Sequence, residues 1–149
     1  MIDSDTRRHD LKRNKQEAYQ WGLDAEELAY KHLIEHGYTV RERRWRQGAS
    51  KSDVDIIAEL PGIIVFIEVK ARSPYEDDEQ QEWRNDPTSP AEAVDLKKRR
   101  LMARTADRYL RVQERDYDYR YDIITIVGTP SDHLLTHIPD AFISPVSSR

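Results

Sequence analysis

The 149-residue chain is 35% charged and 38% hydrophobic, carries no cysteine and has a formal net charge of −4. The length suits one domain around one core, and the missing thiols remove disulfides, zinc–thiolate centres and cysteine nucleophiles together. No run of about 18 apolar residues offers a membrane span, and the polar opening with Asp3, Asp5, Arg7 and Arg8 has no apolar stretch behind it, so a cytoplasmic protein is expected.

Residues 1–9 are polar and unpatterned and are expected to form a disordered arm. From about Leu11 to His36, Ala18, Gly22, Ala25, Ala29 and Leu33 recur at spacings of three and four, which predicts a helix stopped by Gly37. Tyr38–Trp45 alternates weakly, as an edge strand would, and residues 46–52 form a polar loop. Ile56-Ile57-Ala58 and Ile63 to Ile67 predict strands over 53–59 and 63–70, separated by Pro61-Gly62. Residues 73–90 hold Pro74, Pro87 and Pro90 and the acids Glu76, Asp77, Asp78, Glu79, Glu82 and Asp86, the composition of a long mobile loop. Ser89 and Pro90 predict the start of a second helix ending near Val112. Tyr121–Val127 reads as a strand ended by Gly128 and Pro130, His133–Ile138 as a short last strand, and 144–149 as a tail. The order predicts one α/β domain over 10–143, with a mixed sheet flanked by helices.

Charge is segregated despite the acidic sum. Lys97 to Arg115 holds eight basic residues against two acidic, and Arg41 to Lys51 five against one. Such clustering presents a basic face suited to phosphates, although solvated helix faces explain the same pattern.

The two central strands carry the chemistry. If Pro61 and Gly62 form a two-residue turn, facing residues have numbers summing to 123, so Asp55 faces Glu68 and Asp53 faces Lys70, all four on one side of the sheet. Directly opposed side chains have Cβ atoms roughly 4.5–5.5 Å apart, where two carboxylates repel. Burial makes the pair costlier still, and a divalent cation with oxygen ligands compensates it. The competing reading is ordinary salt bridging, Asp53 with Lys70 and Glu68 with an arginine. A longer loop or a bulge would put Asp53 in place of Asp55. His32-Leu33-Ile34-Glu35-His36 has the spacing of an inverted zinc-peptidase motif, but it ends its helix and lacks a third ligand, so a peptidase is set aside. His133 and His137 read as surface residues.

Asp55 followed by Glu68-Val69-Lys70 resembles the Asp…Glu-x-Lys signature of the restriction-endonuclease-like superfamily. Gly22-Leu23-Asp24-Ala25-Glu26-Glu27-Leu28-Ala29, Val54-Asp55-Ile56-Ile57, Val65 to Arg72, Arg120-Tyr121-Asp122-Ile123 and Asp140-Ala141-Phe142 together resemble the YraN family of uncharacterised, endonuclease-like bacterial proteins, over about residues 20–143. The resemblance implies a restriction-endonuclease-like core, Asp55 and Glu68 as ligands of Mg²⁺ or Mn²⁺, Lys70 as the catalytic lysine, and Glu26 as an additional helix carboxylate of the site. Asp53 departs from it, since the family usually has glutamate there. The expected function is a metal-dependent endonuclease acting on nucleic acid, DNA ahead of RNA and branched DNA in particular. A catalytically silent binding module of the same fold is the alternative. Arg44, Arg46, Arg72, Lys98, Arg99, Arg100 and Arg104 are the expected nucleic-acid contacts. A homodimer would suit branched DNA, though no dimer signal is visible in the sequence.

Overall fold

A computed structural model describes residues 4–48, 52–73 and 94–143, with side chains from residue 14 onward. Helix α1 (Ser4–Glu35) is followed by strands β1 (Thr39–Arg43), β2 (Ile56–Leu60) and β3 (Ile63–Arg72), helix α2 (Leu96–Arg111), and strands β4 (Asp118–Thr129) and β5 (Asp132–Phe142). The strands form one sheet in the order β1-β2-β3-β4-β5. Only β3 and β4 pair in parallel, and the connection between them includes α2. This is an α/β fold with a five-stranded mixed sheet between two helices, in agreement with a restriction-endonuclease-like core. No described helix is long and apolar enough to cross a membrane.

The side-chain alternation of the strands divides the core in two. On one face Ala25, Ala29 and Leu33 of α1 pack on Ile56, Ala58, Val65, Ile67, Ile124 and Ile126. On the other, Met102, Ala103, Ala106 and Tyr109 of α2 pack on Ile57, Ile64, Phe66, Tyr121 and Ile123. Each fully enclosed Leu, Ile or Phe contributes about 1.5–3 kcal/mol. The sheet is therefore apolar on both faces, and polar residues inside it stand out.

The expected β2–β3 register holds. Ile56 faces Ile67 and Leu60 faces Ile63, with no bulge between. Gly62, at φ 78°, supplies the left-handed second residue of the turn, the value a Pro-Gly type II turn requires.

Three boundaries move by four residues or more. Helix α1 is already formed at Ser4, where an arm was expected for 1–9 and a helix only from about Leu11. The apolar spacing marks only the stretch that packs: Ala18 is exposed, whereas Ala25, Ala29 and Leu33 are fully enclosed. Helix α2 begins at Leu96 rather than Pro90, because Asp95 is its cap: its side chain accepts from Lys98 N at 2.8 Å. Ser89, Pro90, the acidic segment and the tail lie outside the described residues. Finally, β5 reaches Phe142, whose ring stacks on Tyr121 at 4.8 Å.

Candidate active site

Just before β2 the main chain bends at Asp55, and the side chain takes over from the backbone. Asp55 N still donates to Ile67 O at 3.1 Å. Beyond it, Val69 N donates at 2.8 Å to Asp55 Oδ2 instead of to a main-chain carbonyl. The carboxyl is thereby fixed against β3, beside Glu68. Burial first, then the hydrogen bond and charge of Glu68, push the Asp55 carboxyl well above the usual carboxylate range, against the pull of Val69 N–H and Lys98.

Glu68 is 4% exposed. It shares the α2 side of β3 with Ile64 and Phe66, and there α2 answers it: Lys98 Nζ lies 3.1 Å from Glu68 Oε2. The approach is off the line of a hydrogen bond, so this oxygen is buried without a donor. Two carboxyls in contact, one with an oxygen that has an ion pair but no aligned hydrogen-bond donor, are a donor set of the chemistry that holds a hard divalent cation.

Glu26 enters from α1 and is 9% exposed. It lines the same cleft as Asp55, Glu68 and Lys70, an open volume of about 320 Å³. Its carboxylate is forked by Arg44: Nε donates to Oε1 at 3.1 Å and Nη2 to Oε2. Arg44 sits at φ 53°, a left-handed value for a residue with a side chain, and its N–H is tied to Asp55 O at 2.9 Å. Among the described residues no three His, Asp or Glu side chains converge as one ion's ligands. Asp55 and Glu68 stand as a pair, with Glu26 in the same cleft but engaged elsewhere.

Lys70 is half-buried in the cleft and forms no ion pair with Asp53 or any other described residue. The expected Asp53–Lys70 opposition is corrected here. The paired register stops at Ile56, and the bend at Asp55 breaks the alternation, turning Val54 into the same α2-side core as Ile57. Of the expected nucleic-acid contacts, Arg44, Arg46 and Arg72 line the cleft or its continuation, and Arg100 and Arg104 are exposed. Two are committed elsewhere: Lys98 to Glu68, and Arg99 to Val94 O at 2.8 Å and the Phe142 ring at 5.2 Å. Trp45 packs edge-on to Tyr109 at 5.1 Å and is core-facing. Tyr19, which also lines the cleft, went unread in the sequence, though it precedes Glu26 by seven residues and so shares its helix face.

A second polar cluster lies on the α1 side, and it corrects the reading of His137 as a surface residue. Asp122, with no exposure, accepts from Arg120 Nε at 2.9 Å and Nη2 at 3.0 Å, and from Asp140 N at 2.9 Å. His137 Nε2 is 2.7 Å from its Oδ2. Burial pushes this carboxyl up, but the bonds from His137, Arg120 and Asp140 outweigh it and leave the group below the ordinary carboxylate range. His133 is exposed, as expected.

The profile of a family described as an uncharacterised protein family, UPF0102, matches residues 25–126. Among curated relatives, a UPF0102 protein of Bacteroides thetaiotaomicron is 36% identical over 125 residues, covering 84% of this chain and 93% of the relative. One from Phocaeicola vulgatus is 36% identical over 127 residues, 85% and 95% of the two chains. One from Koribacter versatilis is 38% identical over 122 residues, 82% and 78%.

Proposed function

The chain belongs to the uncharacterised protein family UPF0102, and we propose that it is a metal-dependent endonuclease hydrolysing phosphodiester bonds in nucleic acid, DNA ahead of RNA. The observation that carries this reading is the buried contact between Asp55 and Glu68, with Glu68 Oε2 lacking a hydrogen-bond donor. Two carboxyls held together inside an apolar sheet are costly, and the one ammonium beside them, Lys98, offsets a single charge of the two, whereas a divalent cation would offset both.

Asp55 and Glu68 would hold Mg²⁺ or Mn²⁺. When bound, such an ion supplies a polarised phosphoryl oxygen and a water acidic enough to attack at neutral pH. The protein's own contributions are separable. Val69 N–H fixes the Asp55 carboxylate. Lys98 supplies a counter-charge to Glu68 from outside the sheet. Lys70, unpaired in the cleft, is the catalytic residue: its ammonium would hold the attacking water or meet the charge developing on the phosphorus oxygens. Arg46 at the cleft, with Arg100 and Arg104 on α2, would contact flanking phosphates.

One observation favours the silent binding module instead: Glu26, the helix carboxylate, is occupied by Arg44. The two readings part in a cleavage panel of branched, single-stranded and duplex DNA and RNA with Mg²⁺ or Mn²⁺, each repeated with Glu68→Ala. The nuclease reading expects cleavage of at least one substrate that Glu68→Ala abolishes. Binding without cleavage in every arm leaves the module.

A further inference from the structure

The histidine motif of α1 acquires in the fold what it lacked in sequence. His137 of β5 faces Ile124 of β4, on the α1 side of the sheet, and its Nδ1 lies 3.1 Å from Nε2 of His32. His36, one turn beyond His32, places its ring centroid 4.1 Å from the His32 ring. We propose that His32, His137 and His36 form a site for a late first-row dication of the Zn²⁺ class, separate from the Asp55–Glu68 pair.

Asp122 makes the argument. An ionised carboxylate only accepts, so the 2.7 Å contact puts a proton on His137 Nε2, and in the neutral imidazole Nδ1 then presents its lone pair to His32. Carboxylate behind imidazole, with the far nitrogen free, is the arrangement that orients and strengthens a histidine ligand. Arg120 and the Asp140 N–H hold Asp122 in place, so this support is already formed. Imidazole nitrogens bind zinc at about 2.0–2.1 Å, so two tetrahedral ligands stand roughly 3.3 Å apart. The present 3.1 Å is within a few tenths of that value. What holds the two rings now is one shared proton, and an ion replaces it by a modest turn of each ring.

The three imidazoles do not converge on one point as they stand. His36 Nδ1 is bonded to His32 O at 2.8 Å, and the residue is exposed. Rotation of that exposed side chain, breaking its bond to His32 O, is the rearrangement required, with water filling the fourth position. Imidazole donors select zinc, copper or nickel, whereas the carboxylates of the other site suit magnesium or manganese. The bound ion would fasten the end of α1 to β5.

The test is calorimetric titration of tag-free protein with ZnCl₂, with Co²⁺ absorption as a spectroscopic check. One saturable site is expected, absent in His32→Gln and in His137→Gln. Affinity should fall about 10–100-fold in Asp122→Asn and stay unchanged in Glu68→Ala. No saturable binding tighter than about 0.1 mM overturns the proposal. So does full binding by folded His137→Gln, which would assign the ion to the His32–His36 pair alone, or loss of binding in Glu68→Ala. Should His137→Gln not fold, the exposed His36→Gln takes its place: a loss of at least about tenfold supports the site, and unchanged affinity overturns it.

Discussion

Lys98 Nζ stands 3.1 Å from Glu68 Oε2, so the first turn of α2 supplies the charge that faces the buried carboxylate of β3. Lys70, two residues after Glu68 on the strand itself, pairs with nothing described. Lys98 beside Glu68 and Lys70 in the cleft therefore have different work, and substitution separates it.

Lys98→Met should cost about 1–3 kcal/mol, less than a fully buried pair, because Lys98 keeps contact with water while Glu68 is nearly enclosed. Lys70→Met should leave the melting temperature nearly unchanged and lower any metal-dependent cleavage by about 10²–10³. Thermal unfolding and single-turnover cleavage of both variants check this. A large stability loss in Lys70→Met, with cleavage kept, would return Lys70 to a structural role.

Asp55 carries the opposite sign from most carboxylates. Its folded-state affinity for a proton is raised, by burial and then by Glu68. It therefore contributes stability below the ordinary carboxylate range, and that contribution is lost as pH rises toward its elevated folded value. Without metal, Asp55→Asn should be at least as stable as the parent near neutral pH. The parent alone should gain melting temperature with Mn²⁺, and gain more at pH 8 than at pH 5.5. Scanning fluorimetry with EDTA or MnCl₂ reads both effects; an equal Mn²⁺ gain in the variant would remove Asp55 from the ligand set.

Asp122 behaves in the usual way. Its folded value lies below the ordinary one, so its stabilisation is full above the ordinary carboxylate range and disappears as pH falls through the folded value. Asp122→Asn should cost about 2–4 kcal/mol at neutral pH. Parent and variant should converge toward the acid end of a denaturation series run in EDTA. Parallel curves at all pH values would deny the group its charge.

On α2, Arg100→Ala with Arg104→Ala should weaken binding to every nucleic acid alike and flatten the salt dependence by roughly 0.7–0.9 per lost phosphate contact. Arg99→Ala should act differently. Its guanidinium already serves Val94 O and the Phe142 ring, so stability should drop and the salt slope hold. Fluorescence anisotropy across a salt series distinguishes the two.

The hairpin was legible because its information is local. A two-residue turn and strict alternation fix every partner from Ile56 to Leu60. The same rule failed at Asp53, where the side chain of Asp55 replaces a rung and alternation stops. The Asp95 cap was readable in principle, being a carboxylate three residues before the lysine whose N–H it accepts, but Ser89-Pro90 offered a competing start. The His32–His137 contact was not readable. It spans 105 residues and depends on β5 lying beside β4 under the end of α1, which no local pattern encodes.

Arg44 gives the Nε–Nη2 edge of its guanidinium to Glu26. An anion that takes this edge for itself must first dislodge that carboxylate, which is then left nearly buried at the cleft with a charge to satisfy. A cation held by Asp55 and Glu68, as proposed above, would satisfy it. Reciprocity would then follow: whatever strengthened anion capture at that edge of Arg44 would strengthen cation capture at the carboxylates by the same factor. Measured alone, either ligand would look weaker than it is in the presence of the other.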